Sequence, residues 1–188
     1  RQMCIRDSHY VYASGGAAKP DHTEVLNFGA PYSVISPSIP GYTADKPVVT
    51  GTMPAAPVTV TVTYTASTGT PYEVHHYLER LEGAYPAVPH EKDNLRGETG
   101  AWTAAAAKSY DGFTPIEFEQ KRIKADDSTV VEIFYTRNSY LLTYKDSLSA
   151  GVYASQTYKY GAAVTAIAAP TKTGYTFTGW SPAVPATM

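Results

Sequence analysis

The sequence predicts an α+β fold that is mostly β, made of small domains repeated in tandem. Three observations carry this. The chain holds 16 Tyr, 14 Gly and 14 Pro; aromatic and β-branched residues suit a pleated, half-buried surface, and Gly and Pro punctuate it with turns. The run Val58-Thr59-Val60-Thr61-Val62-Thr63-Tyr64-Thr65 alternates strictly between apolar and polar, the period of a strand with one face on a core. Glycine pairs also recur at a fixed interval. Gly29-Ala30, Gly41-Tyr42 and Tyr64-Thr65 stand 71 residues before Gly100-Ala101, Gly112-Phe113 and Tyr135-Thr136.

The interval divides the chain into three units, 9–66, 70–137 and 139–188, and recurring spacing of this kind is the mark of a repeat architecture. Val58, Val60, Val62 and Tyr64 are expected to face the core of the first unit, and Val131, Ile133 and Tyr135 that of the second. Tyr72–Leu78 opens the second unit as a strand and Tyr140–Tyr144 opens the third. Ala125–Ser128 reads as a turn. Thr103–Lys108, with four consecutive alanines, predicts a short helix stopped by Gly112, whereas 32–38 and 164–170 are interrupted by Pro and read as extended. The repeated Gly-aromatic pairs call for glycine at a positive φ, with the ring plugging one end of a small core. The first unit is expected to be incomplete at its N-terminal side and the third at its C-terminal side. The connections at 67–69 and 137–138 are short, which predicts an elongated, semi-rigid array.

Charge and composition narrow the function. A formal net charge of -2 argues against a nucleic-acid partner, which requires a basic face. No apolar run approaches the roughly 20 residues of a membrane-spanning helix. Cys4 is the one cysteine, so no intrachain disulfide forms. Residues 1–8 read differently from the rest: Gln2-Met3-Cys4-Ile5-Arg6-Asp7 resembles a translated sequencing-library adapter. The segment is therefore expected to be non-native, which removes Cys4 as a candidate nucleophile.

Residues Tyr72–Leu78, Gly97–Gly100, Tyr110–Phe113 and Val130–Thr136 make the second unit resemble the MucBP (mucin-binding protein) repeat of Gram-positive surface proteins. The first unit is similar to it through Gly41-Tyr42 and Gly51-Thr52-Met53-Pro54. The third, through Tyr160-Gly161 and Pro170-Thr171-Lys172-Thr173-Gly174-Tyr175-Thr176-Phe177-Thr178-Gly179-Trp180, resembles the Listeria–Bacteroides repeat, the internalin B-type repeat. The resemblance implies a ubiquitin-like β-grasp fold in each unit and a secreted, cell-wall-anchored bacterial protein. It implies adhesion or spacing without catalysis, and it carries no ligand-binding residues onto this chain.

The residues themselves give little chemistry. His75 and His76 are adjacent in a strand and point to opposite faces, so they do not share a metal; they read, with His90, as surface histidines. Asp126-Asp127 lacks the alternating acidic pattern of a calcium loop. Glu117 and Glu119 fall on one face beside Lys121, Arg122 and Lys124, the pattern of a solvated edge. No nucleophile motif or phosphate loop is present, and no cofactor or metal is expected. Asn27, Asn94 and Asn138 read as loop or linker positions, unsuited to an internal isopeptide bond. Residues 70–137 hold 12 of the 17 acidic side chains and a long loop, 81–96. With Tyr85 and Trp102 as ligand-binding candidates, this unit is where mucin-type glycans or host or matrix proteins are expected to bind. The plainer expectation is that Trp102 plugs the core and that the units are spacers contacting neighbouring repeats.

Overall fold

The computed structural model describes residues 3–146 and 151–188; Arg1 and Gln2 of the segment expected to be foreign lie outside them. Twelve strands follow in order: β1 Met3–Tyr12, β2 Ala17–Asn27, β3 Pro31–Ile35, β4 Tyr42–Ala44, β5 Val48–Thr52 and β6 Val58–Ala66. Then come β7 Thr70–Leu78, β8 Glu91–Gly97, β9 Phe113–Pro115, β10 Val130–Arg137, β11 Ser139–Lys145 and β12 Val152–Lys159. No helix occurs among the described residues, so the fold is all-β and the α+β expectation is corrected.

The strands pair in four groups. One sheet has the order β2-β1-β6-β4, a second β8-β7-β10-β9, and two hairpins, β3-β5 and β11-β12, complete the set. β1 runs antiparallel to β2 and parallel to β6, with Tyr12 opposite Tyr64. By packing, the chain forms two compact units. One comprises Arg1–Glu73, Asn94–Ala104 and Gln120–Val131; the other comprises Val74–Asp93, Ala105–Glu119 and Glu132–Met188.

The alternation argument holds where it was strongest. Val62 and Tyr64 of β6 are fully buried, as are Val131, Ile133 and Tyr135 of β10. Tyr64 packs with Tyr10, Val49 and Val62. Tyr135 lies beside His76 and Tyr110. Trp180 lies among Tyr144, Tyr153 and Phe177.

The predicted helix over 103–108 is extended instead. Four alanines are too few to nucleate a helix, and other groups take the backbone donors. The Ala104 amide donates to the Tyr72 hydroxyl and the Lys108 amide to the Tyr135 hydroxyl. Thr103 donates from its backbone to Lys121 O and from its hydroxyl to Gln120 Oε1. Thr103 and Ala105 are buried while Trp102 and Ala104 are exposed. The second half of the expected loop over 81–96 is strand β8, polar except for Leu95 and Gly97 and lying at a sheet edge. Asn94 is therefore a strand residue, and Asn27 is the last residue of β2.

Two turns recur in all three repeats. The amides of Ala30, Ala101 and Ala162 each donate to the carbonyl three residues earlier, with Gly29, Gly100 and Gly161 at positive φ. The amides of Tyr42, Phe113 and Tyr175 do the same around Gly41, Gly112 and Gly174. Glycine at the third position with φ near +80° is the requirement of a type II turn. The first turn is tied across its repeat in the same way each time. Gly29, Gly100 and Gly161 donate to the carbonyls of Met53, Ile123 and Met188, whose own amides donate back to Ala30, Ala101 and Ala162. The periodicity is thus a periodicity of backbone hydrogen bonds, and the glycine spacing reports it because only glycine adopts this φ without strain.

Candidate functional site

The polar centre of the chain lies around Tyr135. β7 buries Thr70, Tyr72, Val74 and His76 at alternate positions, which corrects the expectation that His76 is a surface residue: its side chain is fully buried. Its Nδ1 lies 2.8 Å from the Tyr135 hydroxyl and its Nε2 3.2 Å from Asp93 Oδ2. The Tyr135 hydroxyl already accepts from the Lys108 amide at 2.8 Å. Its proton therefore goes to His76 Nδ1, and Nε2–H faces the Asp93 carboxylate, the tautomer that leaves no ring nitrogen unpaired. Asp93 Oδ1 accepts from Lys108 Nζ at 2.5 Å, Lys108 also donates to Glu91 Oε1 at 2.7 Å, and Tyr110 donates to Glu91 Oε2 at 2.6 Å.

The ionisations follow from this wiring. The Lys108 ammonium holds the Asp93 and Glu91 carboxyls below their ordinary range, and the two carboxylates push Lys108 up. Burial, then the bond to Glu91, pushes the Tyr110 phenol far above its usual value. Burial raises Tyr135 as well. His76 and Tyr135 are closed off from solvent, and the network ties Lys108 and Tyr110 to His76, Glu91, Asp93 and Tyr135. Sequence reasoning missed it. The signal was the phase of β7: His76 shares the alternation of Tyr72 and Val74, not that of His75.

The two residues singled out in advance fall in different compact units. Tyr85 is half-buried, edge-on to Phe134 with ring centres 4.8 Å apart; Phe134 also stacks on Tyr77 at 5.0 Å. Burial raises the Tyr85 phenol. Trp102 does not plug the core: it is 59% exposed. The Arg122 guanidinium lies 4.2 Å from its ring centre and donates to Gly100 O at 2.8 Å, which pins the indole through one face. Its loop is held by the bridge between Trp102 and Arg122 and by the bond from Thr103 to Lys121 O.

The remaining candidates are surface features. Glu117 and Glu119 are exposed, and Asp126 caps a turn by accepting from the Ser128 amide and hydroxyl. Among the described residues no three His, Cys, Asp or Glu side chains gather into a set able to hold a metal ion. None of the described helices is long and apolar enough to cross a membrane, since the described residues form none.

Comparison with known proteins points the same way as the repeated turns. Residues 7–65 match the MucBP domain model and residues 140–184 the Listeria-Bacteroides repeat domain model. Among solved structures, the chain is similar to a MucBP domain from Lactobacillus acidophilus, with 26% identity over 35% of this chain and 92% of that one and a TM-score of 0.30. It is also similar to streptococcal SHIRT domains 3-4 from a cell surface protein, with 12% identity, coverage of 72% and 97%, and a TM-score of 0.28. The crystal structure of Mub-RV is similar at 11% identity, coverage of 72% and 99%, and a TM-score of 0.24. No curated protein matches the chain. The MucBP match covers the first repeat; the second shares its turns and cross-links with both the first and the third. The chain thus resembles a MucBP domain over residues 7–65 and a Listeria–Bacteroides repeat domain over residues 140–184.

Proposed function

We propose that this chain is a repeat module of an exported, wall-anchored bacterial surface protein that serves adhesion and spacing and performs no catalysis. Its units are 9–66, 70–137 and 139–188, each a β-grasp domain, with residues 1–8 foreign to it. The side-by-side occurrence of two repeat families supports this reading. The network around Tyr135 supports it too, because its side chains are spent on one another and its centre, His76 and Tyr135, is buried.

A second reading is favoured by one observation. Trp102 is exposed and pre-positioned by Arg122. A rigid indole with one free face suits the apolar face of a sugar ring or a protein side chain. On this reading the 70–137 unit binds mucin-type glycans or host or matrix protein through Trp102, with Tyr85 a second candidate. The test is retention of the purified chain on immobilised mucin at physiological salt. Retention that falls at least tenfold in Trp102→Ala, with the fold intact by circular dichroism, identifies a binding module. No retention by the wild type leaves the spacer reading; equal retention of wild type and Trp102→Ala identifies a binding module whose contacts lie elsewhere, with Tyr85→Ala the next variant.

A further inference from the structure

The chain passes through the second repeat on two strands that lie side by side. It enters on β7, from Thr70, and leaves on β10, at Arg137. β6 ends at Ala66 and β11 begins at Ser139, so tension along the chain reaches β7 through 67–69 and β10 through 138. β7 and β10 are neighbours in their sheet, and they run parallel. The Glu73 amide donates to Thr129 O and, six residues further along both segments, the Glu79 amide donates to Tyr135 O, both at 3.0 Å. An entry strand parallel to its adjacent exit strand is pulled from the opposite end of the ladder. The evenly spaced bonds of a parallel ladder then resist together instead of opening one at a time. β8, β9 and the loops around them lie between β7 and β10 in sequence and outside this line of pull. The first repeat has the same plan, with β1 parallel to β6 from His9 opposite Thr61 to Tyr12 opposite Tyr64.

Side chains cross-link the second ladder as well. On one face His76 Nδ1 lies 2.8 Å from the Tyr135 hydroxyl; on the other Tyr77 stacks on Phe134 with ring centres 5.0 Å apart. At the end from which β10 is pulled, Glu79 grips Arg137 twice. Its Oε2 accepts from the Arg137 amide at 2.7 Å, and its backbone carbonyl accepts from Arg137 Nε at 3.1 Å. Lys159 Nζ holds the other carboxylate oxygen of Glu79 at 2.8 Å. In the first repeat the contact across the strands is between rings, Tyr10 and Tyr64, 6.3 Å apart. We propose that the second repeat is a clamp against tension: β7 and β10 resist a pull along the chain in shear, and Glu79 is the latch at the pulled end. A spacer joining a cell wall to a bound surface is stretched along its length, so this role rests on the spacer reading. The clamp itself does not, and directional pulling can fail while that reading stands.

Single-molecule pulling of the full chain in two directions tests this. Handles on Thr68→Cys and Ser139→Cys pull β7 and β10 in shear. Handles on Thr68→Cys and Ser128→Cys pull both strands from one end and peel them apart. All three positions are exposed, and Cys4→Ser removes the native thiol. Forced unfolding reads the barrier along the direction of pull, and rupture in shear is expected at about twice the peeling force or more. The shear event should release up to roughly 24 nm, the extended length of the 71 residues from one handle to the other. Glu79→Ala should lower the shear force and leave the peeling force unchanged, because peeling starts at Glu73 and Thr129 and reaches position 79 last. Equal forces in the two directions overturn the proposal without reference to Glu79. So does a shear force that Glu79→Ala leaves unchanged, or a loss that it spreads equally over both directions.

Discussion

Tyr64 and Tyr135 occupy the same place in successive repeats, 71 residues apart, each fully buried on a closing strand. Their surroundings are unlike. Tyr64 sits among Tyr10, Val49 and Val62 and spends its hydroxyl on one backbone carbonyl, Pro37 O, at 2.6 Å. Tyr135 sits between His76 and the Lys108 amide, and the chain of bonds continues to Asp93, the Lys108 ammonium, Glu91 and Tyr110. The repeat thus keeps a backbone frame and a ring position while the chemistry around the ring changes from an apolar plug to a polar hub. Removing the two hydroxyls should measure that difference. Tyr135→Phe strands a buried imidazole nitrogen and a backbone amide and should cost about 2–4 kcal/mol, whereas Tyr64→Phe strands one carbonyl and should cost about 1 kcal/mol. Urea unfolding of both variants checks this, and equal losses would remove the distinction between plug and hub.

The glycines allow the next comparison. Gly112 and Gly174 share a turn and nearly the same φ, but among the described residues only Gly112 of the two is pressed by a neighbour. Alanine at Gly174 meets the backbone strain alone and should cost about 1 kcal/mol; at Gly112 it must also displace the Tyr160 ring, and about 2–3 kcal/mol is expected. The Gly112→Ala variant should further loosen Tyr160, seen as faster exchange of its amide, which donates to Asn138 O.

How much of this was legible beforehand depended on whether one residue type or many determined the feature. The alternation of Val58–Tyr64 and Val131–Tyr135 names a buried face directly, because period two is set by backbone geometry. The glycine interval named the turns for the same reason. Thr103–Lys108 misled because alanine propensity is a weak local preference, overridden by the Tyr72 and Tyr135 hydroxyls that claim the segment's amides. β8 was hidden because an edge strand whose one large apolar side chain is Leu95 has no apolar alternation to announce it. His76 was half legible: its phase placed it inside, but its partners Asp93 and Tyr135 lie 17 and 59 residues away. Nothing in the sequence signalled that Trp102 would be held outward, since that depends on Arg122 arriving from a distant segment.

The first strands of the two sheets sharpen the comparison further. Tyr72 on β7 is buried and spends its hydroxyl on the Ala104 amide. Arg6 on β1 is fully buried, with Glu24 at 3.5 Å and the Tyr32 ring at 4.7 Å, but its three guanidinium nitrogens make no hydrogen bond. Ser8, two residues on, is likewise buried and unbonded. A charge placed this way costs more than an apolar side chain of similar size. Arg6→Leu should therefore stabilise the first sheet by about 1–2 kcal/mol, an unusual direction for a core substitution. A loss of stability would show that the Arg6–Glu24 contact is a working ion pair, and would weaken the case that residues 1–8 are foreign to the fold.

The smallest effect expected separates hub from plug by pH. Asp93 and Glu91 are held below their ordinary range chiefly by Lys108. A carboxylate with a depressed pKa contributes stability that is complete above its unfolded value, near 4, and is lost as pH falls through its folded value. Acidification from pH 5 towards 2 should therefore loosen the 91–110 segment. These side chains are partly exposed, so salt should weaken the dependence. Lys108→Met should flatten the response, because without the ammonium the two carboxyls return towards ordinary values and folding no longer favours their ionised form. Asp45 provides the control in the first sheet: it too is held low, first by Lys46 and then by the Thr63 amide. Its share of the acid response should be the same in wild type and Lys108→Met. Amide exchange of β8 against that of β6 across this range reads the two contributions separately. An unchanged β8 profile in Lys108→Met would mean that the ion pairs lie on the hub without holding it.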